Sequence, residues 1–155
     1  MRLLAPLLTA LATSVPVSVP APVSAAGADG ASEARVQFNY QMFCQGCHTP
    51  DGTGARHVPR MKDHIGVFTA SPKGREYLVR VPGSATSTLD DDDLAAVLNW
   101  IVYEFSGASF NPDFEPYTAA EVGRLRQHPL NEVARHRDEL LAEIDSKSTR
   151  ESVRP

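Results

Sequence analysis

Cysteine is scarce in this chain. Only two of its 155 residues carry a thiol, which leaves no disulfide framework to hold a fold together. Apolar length is lacking too: the run from Leu3 to Leu11 is interrupted by Pro6 and Thr9 and falls well short of the ~20 residues that cross a bilayer. A formal net charge of −4 offers no basic surplus, so nucleic acid is a poor partner. Nothing in the chain reads as an independent catalytic nucleophile, and the length is too small for a two-domain enzyme. One compact domain remains, with 10 Gly and 12 Pro marking irregular segments.

The N-terminus has an export pattern. Met1-Arg2 is a short basic start, the apolar run follows, and Val23-Ser24-Ala25 and Ser24-Ala25-Ala26 both offer small-residue cleavage sites after Pro16, Pro20 and Pro22. Residues 1–26 are therefore expected to be a cleaved signal peptide, giving a periplasmic protein with no transmembrane anchor after cleavage. A domain of the remaining size buries roughly two-thirds of its unfolded surface, enough to hold a core or wrap a cofactor.

The two cysteines lie three apart in Cys44-Gln45-Gly46-Cys47-His48. C-x-x-C-H is the spacing of c-type haem attachment. Each thiol adds to one porphyrin vinyl group, two intervening residues span the vinyl separation, and the next imidazole lands beneath the iron. Other readings compete. A thioredoxin-like pair wants a strand before it and a helix after it in a βαβ pattern, which is not visible. A zinc site needs a further ligand from His57, His64, His128 or His136, with no second C-x-x-C to help. A structural disulfide is the third. In an exported chain the motif favours one covalent haem c on Cys44 and Cys47, with His48 as the proximal iron ligand.

Around the motif, over roughly residues 32 to 106, the chain resembles class I (monohaem) cytochromes c. A helix is expected from Ser32, with Glu33 in its first turn and Val36, Tyr40 and Phe43 at spacings four and three, delivering Cys44 from its end. Asp51-Gly52-Thr53-Gly54 looks like the family's D-G-x-G, and His57-Val58-Pro59-Arg60-Met61 like its G-P-x-L. Leu94 to Ile101 resembles the family's closing helix, L-S-D-x-E-I-A-A-V-x-x-Y-I. That helix also stands on its own physics: Asp90 is a good N-cap, Asp91, Asp92 and Asp93 complement the helix dipole, and Leu94, Val97, Leu98, Ile101 and Phe105 form one apolar face. No EF-hand spacing turns the aspartates into a calcium site.

The resemblance implies an all-α fold, a small class I cytochrome c-like domain over residues 27–106 wrapped around the haem. The first and closing helices would cross at Val36, Tyr40, Val97, Trp100 and Ile101. Pro59, Met61, Tyr77 and Trp100 would pack on or beside the haem, Met61 in the place of the family's haem-packing leucine and Tyr77 on a short helix from Gly74 to Arg80.

The chain departs from the family at the distal iron ligand. There, a methionine in the loop before the closing helix binds the far side of the iron; here that loop, Val81 to Thr88, holds neither Met nor His. Met42 is two residues from an anchored cysteine and does not easily cross the ring. His57 and His64, nine and sixteen residues beyond His48, have the reach, since nine extended residues span ~30 Å. Three states stay open: an open or water-occupied iron, a ligand from His64, His57 or Met61, or one from His128 or His136 near the C-terminus.

Residues 107–155 form a C-terminal helical extension. Thr118 and Glu121 read as a capping box opening a helix with Val122 and Leu125 that ends at Pro129. A second helix carries Val133, Leu140, Leu141 and Ile144 on its apolar face, with Arg135, Arg137, Asp138, Glu139 and Glu143 solvated. Ser146 to Pro155 is expected to fray. The extension is either a brace over the haem domain or a docking arm. Charge is polarised: Arg56, Arg60, Lys62, Lys73, Arg75 and Arg80 fall within 56–80, whereas 81–121 carries eight acids and no Lys or Arg. Arg60 or Lys62 would neutralise haem propionates or steer a redox partner.

These features point to an exported electron carrier, not itself an enzyme, working between an exported dehydrogenase and another cytochrome or oxidase. The alternative is a haem protein whose open iron takes a diatomic gas or peroxide, or a haem subunit of an enzyme complex.

Overall fold

A computed structural model describes residues 32–152; the expected signal segment, residues 1–26, lies outside the described residues. Among the described residues the fold is all-α, with no strand. Helix α1 spans Glu33–Phe43 and begins where the Ser32 side chain accepts the Arg35 N–H. The single turn α2 (Gln45–His48) follows it directly. After a loop and a 3₁₀ segment, Ile65–Ala70, come α3 (Pro72–Arg80) and α4 (Pro82–Ala85). Helix α5 (Asp91–Phe105) starts at Asp90, whose carboxylate accepts the Asp93 N–H at 2.8 Å. The chain ends in α6 (Ala119–Leu125) and α7 (Val133–Ser152).

Three local features differ from the sequence reading. Part of the Val81–Thr88 loop is helical, because Pro82 has its φ set for a first helical turn and needs no N–H there. The capping box is half made: Thr118 accepts the Glu121 N–H, but the Glu121 carboxylate turns to Arg75 instead. The tail from Ser146 stays helical to Ser152, held by a Glu143–Lys147 pair at 2.8 Å and by bonds from Thr149 and Arg150 to carbonyls four residues back.

Helix α5 is the hub, with Leu94, Val97, Leu98, Ile101, Val102 and Phe105 all buried. Helix α1 packs across it through Val36 and Tyr40, the Tyr40 ring lying 5.0 Å from Trp100 and 5.4 Å from Phe105. Arg35 and Asp93 clamp the same pair of helices at 2.5 Å. Helix α3 lies so close to the 3₁₀ segment that a Cβ at Gly74 would overlap the Phe68 carbonyl.

Residues 107–152 share this core rather than standing off it. Phe114, Tyr117, Val122, Leu125 and Leu140 belong to the same buried cluster. Asn99 on α5 trades two hydrogen bonds with the Tyr117 backbone, at 3.0 and 2.6 Å. Leu130 donates to the Arg80 carbonyl, and Lys73 pairs with Glu143 at 2.7 Å. No helix among the described residues is long and apolar enough to cross a membrane.

Candidate haem-binding site

Cys44 ends α1 and caps α2, and its carbonyl accepts the N–H groups of Cys47 at 3.2 Å and His48 at 3.0 Å. The three functional side chains thus stand at i, i+3 and i+4, the spacings that share one helix face. All three line one cavity of about 360 Å³, within the range of cofactor pockets, roughly 300–1,000 Å³. Ile65, Phe68, Leu78, Val97, Leu98 and Ile101 supply apolar walls.

The segment after His48 folds back beneath the motif. Gly54 donates to the His48 carbonyl at 3.1 Å, Ala55 to that of Cys47 at 3.0 Å, and Met61 to that of Gly52 at 2.8 Å. Gly54 makes this return with φ +78°, where a Cβ would also strike the Val58 carbonyl. The fold-back brings His57, Pro59 and Met61 to the cavity on the His48 side.

Electrostatics suit a covalently held, neutral ligand set. Burial, reinforced by Cys47, pushes the Cys44 thiol up to about 11, so it is a poor thiolate for disulfide exchange. Both cysteines are free thiols. Burial lowers the His48 imidazole below its ordinary value, keeping it neutral and able to ligate. Its Nδ1 is buried and has no hydrogen-bond partner, so the chain alone leaves a polar atom of this site unsatisfied. Among the described residues no cluster of three or more His, Cys, Asp or Glu forms a metal-binding group.

Of the residues singled out in the sequence, Cys44, Cys47, His48, His57, Pro59, Met61 and Tyr77 come together around this cavity. Trp100 and His64 do not line it. Trp100 sits between Tyr40 and Phe105, and His64 lies edge-on to Phe68 with ring centres 5.9 Å apart. Arg60 does line the cavity, its guanidinium paired with Asp63 at 2.8 Å; Lys62 pairs with Asp51 at 3.5 Å.

Two residues of the extension also form the wall, Val133 and Arg137. Arg137, read from the sequence as solvated, is half-buried, with its guanidinium 5.7 Å from the Phe68 ring centre and no ion pair among the described residues. A signal was present: Arg137 interrupts the stripe Val133, Leu140, Ile144, where a helix normally places apolar side chains. The unpaired cation and the orphaned His48 nitrogen both fit a haem, a metal-bearing ring with acidic substituents.

An all-α fold that aims a C-x-x-C-H turn into an apolar cavity defines a c-type cytochrome by class. Comparison with known proteins agrees. The chain is 33% identical over 106 residues to cytochrome c-552 of Thermus thermophilus, the match covering 56% of this chain and 81% of that protein. It is equally similar to a second form of cytochrome c-552 from the same organism, covering 72% of its length. No family model and no solved structure matches. The chain belongs to the class I c-type cytochrome family.

Proposed function

We propose that this protein is an exported, periplasmic electron carrier holding one haem c through Cys44 and Cys47, with His48 as proximal ligand. The observation that carries the reading is the α2 turn, which presents all three side chains to one apolar cavity. Haem c supplies one-electron Fe(III)/Fe(II) exchange. The chain supplies the rest. Ile65, Phe68, Leu98 and Ile101 keep water from the ring, while Arg137 and Arg60 stand where its carboxylates can pair. Cys47 and Phe43 are exposed beside the motif and leave that edge accessible to a partner. Residues 1–26 would act as the cleaved signal, 27–106 as the cytochrome domain and 107–155 as the helical extension bracing it. Partners in keeping with this role are an exported dehydrogenase as donor and another cytochrome or oxidase as acceptor.

The test is expression in a host competent in haem c maturation. Acidified acetone should fail to extract the haem, and the purified protein should weigh its mature mass plus one haem. Cys47→Ala should leave at most single attachment. A colourless, zinc-bearing product would overturn the reading.

A further inference from the structure

Iron in a porphyrin has one axial position on each face. With His48 on one side, the opposite wall decides whether the chain fills the other. Imidazole and thioether are the donors to account for. Met42 projects from α1 with 61% of its surface exposed. His64, His128 and His136 do not line the cavity; His64 lies against Phe68, His128 is exposed, and His136 is stacked on Tyr77 at 6.1 Å. His57 and Met61 do line it, but both ride on the segment bonded beneath Cys47 and His48, and so share the His48 side.

The facing wall is α4 and the turn after it: Val81, Gly83, Ser84 and Ser87. It presents methyl groups and hydroxyls only. This wall is pinned from outside by Arg126 of α6, whose side chain is 12% exposed. Its guanidinium donates to the carbonyls of Ala85 at 3.3 Å, Leu89 at 2.8 Å and Ser87, and to the Asp91 carboxylate at 3.0 Å. Swinging the segment inward would break all four bonds.

We propose that the haem face across from His48 is a binding site for a small neutral diatomic ligand, such as carbon monoxide or nitric oxide, held open by Arg126 as a positioning residue. This rests on the covalent haem proposed above. A neutral ligand is indicated because an anion would lose its hydration on a wall with no cation; Arg137 lies over Phe68, away from α4. Peroxide chemistry would need a proton-transferring group, and the α4 wall carries only serine hydroxyls.

The experiment uses the full-length holoprotein. Its mass is read first: absence of covalent haem overturns the functional reading and this site with it. With haem attached, the ferrous protein should be high-spin and bind carbon monoxide in one fast, saturable phase. His57→Ala and Met61→Ala should leave that affinity within about twofold, whereas Ser84→Met, which puts a thioether on the facing wall, should give a low-spin spectrum and weaken binding at least about tenfold by internal competition. Arg126→Gln should split carbon monoxide rebinding into several phases, a change that a merely stabilising role would not produce. A haem-bearing wild type that is low-spin and resists carbon monoxide overturns the proposal, and the substitution that restores high spin then names the internal ligand.

Discussion

The Tyr40 hydroxyl donates to the Thr49 carbonyl at 2.6 Å. This bond ties the middle of α1 to the residue just after His48, closing a bracket around the whole C-x-x-C-H turn. Tyr40 is 2% exposed, so the turn is anchored to the core rather than carried on a free helix end. Tyr40→Phe should keep the packing against Trp100 and lose only this bond, costing about 1–2 kcal/mol in denaturant unfolding. Burial pushes the Tyr40 phenol up from 10.0 to about 12. The folded state therefore holds this proton more tightly; the contribution is complete below pH 10.0 and is lost as pH rises towards about 12. Unfolding measured across that alkaline range should fall more steeply in wild type than in Tyr40→Phe.

Gly74→Ala should lower the melting temperature and loosen the cavity wall together. The new Cβ meets the Phe68 carbonyl, a backbone atom that cannot step aside, and overpacking of this kind costs about 1–3 kcal/mol. Phe68 and Tyr77 are stacked at 5.0 Å on either side of this contact, so near-UV circular dichroism should report the separation of the two rings. An unchanged spectrum would mean that the strain is absorbed elsewhere.

Arg75 joins α3 to the extension. Its guanidinium makes a two-pronged contact with Glu121 at 2.6 and 2.8 Å and lies 4.0 Å from the Tyr117 ring centre. Lysine keeps the charge but loses the planar fork and the stacking. Arg75→Lys should therefore destabilise the chain by about 1–3 kcal/mol, and Arg75→Ala by more, as read from urea midpoints. Equal stability of Arg75→Lys and wild type would reduce the contact to simple charge pairing.

Arg137→Gln should make the reduction potential of the holoprotein more negative. A positive charge on the cavity wall favours the more electron-rich ferrous state, so its removal favours ferric. Arg135→Gln, an exposed position on the same helix, is the control and should move the potential much less. Voltammetry of the two variants at equal ionic strength decides between a cavity-wall charge and a surface one.

The parts of this protein that were legible in its sequence are those governed by neighbours along the chain. C-x-x-C-H is a five-residue pattern, and a single helical turn is enough to put its three side chains on one face. Ser32, Asp90 and Thr118 mark helix starts because each hydroxyl or carboxylate bonds an N–H three residues ahead, and the apolar stripe of α5 follows from helical period alone.

Tertiary structure decided what the cavity is made of. Arg126 meets Ser87 across 39 residues and Asn99 meets Tyr117 across 18, distances in sequence at which no local spacing rule operates. Arg137 was legible as a charged residue on a helix, but only the docking of α7 against α3 and the 3₁₀ segment turned it from solvent to the cavity wall. His57 and His64 both had the chain length to reach that cavity; the turn at Gly54 brought His57 to its wall, while packing against Phe68 set His64 beside it. Reach is a property of chain length, whereas placement depends on which surfaces bury each other, and burial is settled only when the whole core assembles.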